Sequence, residues 1–122
     1  MNDYSALLTR FNDCINTGDV GGLAELMSDE HTFIDTGGVA IRGKDACLNA
    51  WRGFFLAHPT YRNVFVAFSA NDEAVSVSGY SVCPGHPELD GPALWSAVIR
   101  GGRFDEWRVY EDTPEARRTL SL

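Results

Sequence analysis

One carboxylate in this chain is placed for chemistry. Asp35 follows the apolar pair Phe33-Ile34 and precedes Thr36 and two glycines, Gly37-Gly38. An apolar run ending at glycines reads as a strand entering a tight reversal, because glycine permits positive φ. A carboxylate at that strand end can point into a cavity. Burial would then raise its pKa above the ordinary value of about 3.9 and make it a better general base near neutral pH. The same residue can equally cap the turn, as Asp commonly does. His58 stands just before Pro59, at the end of a helical pattern. It could exchange protons with Asp35, or simply place a favourable charge at a helix C-terminus. His31 lies beside acids and is expected in solvent, and His86 sits in a Pro- and Gly-rich stretch.

The three histidines lack the spacing of metal ligands. Cys14, Cys47 and Cys83 are odd in number, far apart and without a C-x-x-C pair, so they read as reduced thiols of a cytoplasmic protein, with no disulfide framework and no zinc site. No glycine-rich phosphate loop follows a strand, since Gly21-Gly22 falls inside a helical pattern. No metal and no cofactor is expected.

The elements that would position these residues follow from periodicity. Tyr4, Leu7, Leu8, Phe11, Cys14 and Ile15 recur at helical spacing, with Asn2 or Asp3 as N-cap and Gly18 as the stop. Asp19 can cap a shorter helix that buries Val20, Leu23, Leu26 and Met27 and ends at Ser28-Asp29-Glu30. A strand over 32–36 and a short return at Val39-Ala40-Ile41 come next. A third helix from Gly43 to His58 carries Leu48, Trp51, Phe54 and Phe55 on one face, and Pro59 ends it. The period then changes to 2, giving strands over 61–70, 73–83, 93–100 and 103–112, with turns at Asn71-Asp72 and Gly101-Gly102 and a loop from Pro84 to Pro92. The tail from Thr113 to Leu122 reads as short and polar. This order predicts one α+β domain over residues 1–122. Three N-terminal helices would pack on a curved, mainly antiparallel sheet of about six strands, enclosing a conical apolar pocket.

The chain has 122 residues, 44% of them hydrophobic, and a net charge of −7. That composition suits a folded domain and, lacking any basic run, disfavours nucleic acid and anionic membranes as partners. No stretch is apolar enough to span a bilayer, and the first residues lack a secretory pattern. Val64, Val66, Val75 and Val77 read as a sheet face needing cover, which a second copy would supply as a homodimer.

Several motifs, taken in order, resemble the nuclear transport factor 2-like superfamily, and within it the SnoaL-like polyketide cyclases and ketosteroid isomerases. They are Phe11 with Asn16-Thr17-Gly18-Asp19, Leu26-Met27-Ser28-Asp29-Glu30, Thr32-Phe33-Ile34-Asp35, Ile41-Arg42-Gly43-Lys44-Asp45-Ala46, and Gly102 to Tyr110 with Asp112. The resemblance implies a cone-shaped α+β barrel, commonly dimeric, and cofactor-free acid/base chemistry on an apolar, ring-containing molecule. Asp35 matches the isomerase base. The tyrosine that holds the oxyanion in the isomerases falls on Phe11, and their protonated aspartate falls near Trp95-Ser96. Only the Trp95 indole N–H remains as a donor there, and losing such a donor typically costs about 3 kcal/mol of transition-state stabilisation. The epoxide hydrolases of the superfamily need acids where Trp95 and Val109 stand. The cyclases place an acid late in the last strand, where Glu111 or Asp112 could match. The implied site therefore comprises Asp35, Trp95 and His58 for catalysis. Phe11, Ile15, Trp51, Phe55, Tyr80, Trp107 and Glu111 would contact the ligand. A binding protein with the same pocket and no chemistry is the competing class.

Asp35-Thr36-Gly37 after two apolar residues also resembles the active-site motif of aspartic proteases, whose retroviral members are short and dimeric. That reading requires an almost wholly β chain, whereas about a third of this one reads as helix.

Overall fold

The computed structural model describes residues 4–71 and 74–122. The elements run α1 (Tyr4–Thr17), α2 (Val20–Leu26), β1 (Met27–Ile34), β2 (Ala40–Arg42), α3 (Lys44–Ala57), β3 (Arg62–Asn71), β4 (Ala74–Val82), β5 (Gly91–Arg100), β6 (Arg103–Glu111) and α4 (Pro114–Leu120), with a 3-10 turn at Pro87–Leu89. The strands form one open sheet in the order β2-β1-β6-β5-β4-β3. Adjacent strands are antiparallel except β1 and β6, which run parallel. This is the expected α+β architecture, and four helices with a mixed sheet remove the protease-like reading of Asp35-Thr36-Gly37. The proposed caps Asn2 and Asp3, and Asp72 of the expected turn, lie outside the described residues.

Helix α1 forms because its apolar residues fall at helical spacing and have a sheet to cover. Leu8, Phe11 and Ile15 are each at most 2% exposed. Phe11 stacks on Phe104 at 4.3 Å between ring centroids and lies 4.9 Å from Trp107. From the sheet, Val75, Val77, Trp95, Ala97 and Trp107 meet this helix layer and close the core. Alternation along β5 and β6 turns Ser96, Arg108 and Tyr110 to the opposite face. There the Ser96 and Tyr110 hydroxyls lie 3.2 Å apart.

The sheet bends where β3 meets β4. The pairing slips between Phe65 and Ala67, a bulge that leaves Val66 unpaired. Gly79 sits opposite Phe65, and a Cβ there would collide with the Val64 carbonyl oxygen. Only glycine lets the two backbones approach so closely. The bend turns Phe65 onto Trp95 and Trp107, at 5.1 and 5.9 Å.

Four expectations need correction. Met27 begins β1 rather than ending α2, and Ser28-Asp29-Glu30 belong to the strand. The pairing with β6 is irregular between Met27 and Thr32, which erases the period-2 pattern that would have revealed a strand. His31, expected in solvent, is 0% exposed. Its Nδ1 donates to the Phe104 carbonyl at 2.6 Å, Nε2 has no partner, and burial pushes the ring's pKa below its ordinary value. The tail is helix α4, with Thr113 as N-cap accepting from the Ala116 N–H at 3.1 Å and Pro114 in the first turn. The valines do not share one face. Val75 and Val77 are buried, while Val64 and Val66 are 37% and 68% exposed.

Candidate ligand-binding site

Between α3 and the concave face of the sheet lies a cavity of about 220 Å³. Its walls come from Phe33 and Ile41 of the β1–β2 hairpin, Cys47, Ala50, Trp51 and Phe54 of α3, Tyr61 and Asn63 at the start of β3, Trp95 of β5, and Trp107 and Val109 of β6. Helical spacing places Cys47, Ala50, Trp51 and Phe54 on one face of α3, and strand alternation places Trp107 and Val109 on one face of β6. Trp51 stacks on Phe55 at 5.3 Å and meets Phe33 and Phe54 edge-on at 6.1 and 5.9 Å. Trp95 and Trp107 are parallel within 17° at 6.3 Å. The cavity is thus a slot between two aromatic walls.

None of the lining side chains is charged. The Cys47 thiol is turned away towards the carbonyls of Ile41 and His31, at 3.3 and 3.6 Å, and burial pushes its pKa up. The polar end is a chain of three groups. The Tyr61 hydroxyl lies 3.0 Å from Ser81 Oγ, and Ser81 donates to Asn63 Oδ1 at 2.9 Å. Burial raises the Tyr61 pKa, partly offset by side-chain hydrogen bonds with Ser81 and Asn63. Among the described residues no three His, Cys, Asp or Glu groups converge on a metal site, and no helix is long and apolar enough to cross a membrane.

The fold that carries this slot is shared with other proteins. The family model of the SnoaL-like domain matches residues 8–110. The chain belongs to the SnoaL-like family. Among solved structures, this SnoaL-like domain is similar to IdmH from Streptomyces antibioticus, a provisionally assigned polyketide cyclase, at 16% identity and TM-score 0.77, covering 99% of this chain and 100% of that one. It is also similar to a SnoaL-like protein of unknown function from Burkholderia thailandensis, at 13% identity and TM-score 0.77, covering 93% and 99% of the two chains. An NTF2-like protein of unknown function from Cytophaga hutchinsonii aligns at 16% identity and TM-score 0.74, over 100% and 97%. At these identities the likeness is one of fold. No curated protein matches the chain.

The structure distributes the expected site residues unevenly. Trp51, Trp95 and Trp107 line the cavity, and no hydrogen bond engages the Trp95 indole N–H among the described residues. Phe55 backs Trp51 and, with Ile15 and His58, faces a neighbouring groove. Phe11 and Ile15 are core, one layer behind the cavity. Tyr80 is on the outer sheet face and 42% exposed. Glu111 is exposed, and alternation puts it on the Trp107 and Val109 side of β6. Asp112 instead takes a two-pronged ion pair from Arg117 at 2.6 and 2.8 Å, which holds its carboxyl below the usual range.

Asp35 does not line the cavity. Its Oδ1 accepts from the Gly37 and Val39 N–H groups, both at 2.9 Å, which is a turn cap. His58 ends α3 with its backbone N–H on the Phe54 carbonyl at 2.8 Å. Its ring lies between those of Phe54 and His86, at 4.9 and 4.6 Å. No hydrogen bond joins Asp35 to His58. Sequence reasoning missed Asn63 and Ser81, although strand alternation carried the signal. Both are polar residues on the positions of β3 and β4 that otherwise turn Phe65 and Val77 inward.

Proposed function

We propose that this SnoaL-like domain binds a small, uncharged, ring-containing molecule in the cavity under α3. The observation that carries this is the lining, in which two aromatic walls and one hydroxyl–amide cluster are present and no ionised side chain is. An apolar cavity of roughly 150 Å³ holds benzene, so about 220 Å³ suits a bicyclic ring. All three tryptophans of the sequence line this space, so intrinsic fluorescence reports its occupancy. Naphthalene should quench that fluorescence saturably. The carboxylate of 2-naphthoate would be buried without a partner, at a cost of several kcal/mol, and should bind at least about 100-fold more weakly. Equal affinity for the two would sink the proposal.

A second reading keeps acid/base catalysis of the isomerase, cyclase or hydrolase kind, with Asp35 as base, Trp95 as oxyanion donor and His58 as proton partner. Two observations support it. Alternation places Asp35 on the face of Phe33, which lines the cavity, and the turn occupies only one of its carboxylate oxygens. Its test is turnover by Asp35→Asn, which should fall at least about 100-fold if the carboxylate is the base.

Self-association through the outer sheet face accompanies either reading. Val64, Val66, Tyr80 and Val82 are all at least 36% exposed there, an apolar patch of the kind that marks an interaction surface.

A further inference from the structure

The polar end of the cavity is closed on itself. Ser81 donates to Asn63 Oδ1 at 2.9 Å, so the hydrogen bond between Ser81 and Tyr61, at 3.0 Å, uses the Tyr61 proton. The Tyr61 oxygen in turn accepts from the Asn63 amide. Each of the three groups thus donates once and accepts once within the ring. The Cys47 thiol is spent on the Ile41 and His31 carbonyls. Of the side-chain polar atoms in the lining, only the indole nitrogens of Trp51, Trp95 and Trp107 have no hydrogen-bond partner among the described residues. Trp51 is only half-buried, whereas Trp95 and Trp107 are 2% and 1% exposed. The side-chain nitrogens that are both wholly enclosed and unpaired are, among the described residues, His31 Nε2, His58 Nδ1 and Arg108 Nε. The Trp95 and Trp107 nitrogens are not in that group. An indole N–H that is neither enclosed nor paired, on a residue this deep, opens on the space the residue lines, which is the cavity. Left facing apolar walls, such a donor is costly.

Resting on the ligand-binding reading above, we propose that the indole N–H groups of Trp95 and Trp107 set the specificity of the cavity for a neutral bicyclic molecule whose buried edge accepts hydrogen bonds and donates none, as a ring ketone does. The two indoles are parallel within 17° and 6.3 Å apart, so both donors belong to one wall of the slot. An indole nitrogen can only donate, and a carbonyl oxygen brings two lone pairs and no proton. A hydroxyl in its place also accepts, but its own proton meets a polar ring in which Tyr61, Ser81 and Asn63 already serve one another. A plain hydrocarbon leaves the indole donors unpaired. The preference concerns binding, so it holds whether or not the carbonyl reacts.

The test uses three probes on one fused-ring skeleton: 1-tetralone with a carbonyl, 1-tetralol with a hydroxyl, and tetralin with neither. Binding to the full chain is read by equilibrium dialysis, which does not depend on the tryptophans that are changed. The wild type should hold 1-tetralone at least about five-fold more tightly than 1-tetralol, the cost of one buried donor left unpaired. The ratio of 1-tetralone to tetralin affinity should fall about ten-fold in Trp95→Phe or in Trp107→Phe, with tetralin still bound. If neither variant folds, a chain carrying benzothienylalanine at every tryptophan keeps the ring shape with sulfur in place of the N–H, and the ratio should fall there in the same way. A wild type that does not prefer the ketone to the alcohol overturns the proposal. So does a ratio unchanged in both folded Phe variants or in the benzothienylalanine protein. Tetralin binding in those cases leaves the pocket standing. Failure of all three probes to bind overturns both readings.

Discussion

Replacing Asp35 separates a turn cap from a residue that faces ligand. The carboxylate holds two backbone N–H groups at 2.9 Å, and the turn is closed further by the Asp35 N–H on the Val39 carbonyl and the Gly38 N–H on the Asp35 carbonyl, both at 3.0 Å. Hydrogen bonds to a charged group are worth about 1.5–3 kcal/mol net when buried. Here the two N–H groups belong to exposed residues that water reaches once the carboxylate is gone, so Asp35→Ala should cost about 1–2 kcal/mol in all. For a chain of 122 residues, about 1 kcal/mol corresponds to roughly 3–5 °C in Tm, which predicts a fall of about 3–10 °C. Asp35→Asn retains one carbonyl oxygen and the turn preference, and should lose less than about 2 °C. Differential scanning calorimetry on the three proteins, with naphthalene titrations beside it, reads both quantities. Asn and Ala variants that melt alike would refute the cap. So would an Asn variant of unchanged Tm that binds naphthalene ten-fold differently, since the carboxylate would then be facing the ligand.

Phe11 is fully buried against Phe104 and Trp107, so Phe11→Ala should destabilise by about 3–5 kcal/mol in urea titrations. A loss under 1 kcal/mol would show that this layer is not core. His31 is buried with its pKa lowered from 6.5 by desolvation, against the opposing pull of the Phe104 carbonyl and Asp105. The unfolded chain therefore takes the proton first, and stability is complete above about pH 6.5 and declines as pH falls from there to the lowered native value. The urea midpoint of the wild type should thus drop more steeply between pH 7.5 and 5 than that of His31→Gln, and parallel curves would remove His31 as the cause. Val66 is 68% exposed on the outer sheet face, so Val66→Lys should leave Tm nearly unchanged while converting a dimer to a monomer in light scattering. A monomeric wild type at micromolar concentration would end the proposal of self-association.

Local rules made much of this fold legible. The α1 stripe, the stop at Pro59, the Gly101-Gly102 hairpin and the four long strands are each decided by neighbours in sequence. What stayed hidden depended on partners distant in sequence. The start of β1 at Met27 is imposed by a parallel pairing with β6, a contact no local pattern announces. Helix α4 buries only Leu120, so it shows no apolar stripe, although Thr113-Pro114 was a readable start signal. In the site, the tryptophans were found because large aromatics on inward positions have few places to go. Tyr80 was misplaced because a strand reading without register cannot tell its two faces apart. Asp35 was placed at its turn correctly in sequence, but nothing local said whether its oxygens would meet backbone or cavity.

The asparagines of α1 show how far a polar face can reach into a site. Asn12 and Asn16 lie on a helix whose apolar stripe is plain, and by pattern alone they belong to a solvated flank. Yet β3 is an edge strand, and an edge strand leaves some N–H and carbonyl groups without a ladder partner. Asn12 and Asn16 take both such groups of Asn63 in three hydrogen bonds of 2.8–3.0 Å, so α1 stands in for the missing neighbour strand at that point. The consequence is local. With its backbone fixed from the helix side, Asn63 turns its side chain to Ser81 and the cavity, two residues from Tyr61 in the same wall. The polar end of the cavity therefore owes its geometry to the first helix rather than to the sheet that carries it. A change in the spacing of Asn12 and Asn16 would shift the polar end of the cavity without touching any residue that lines it.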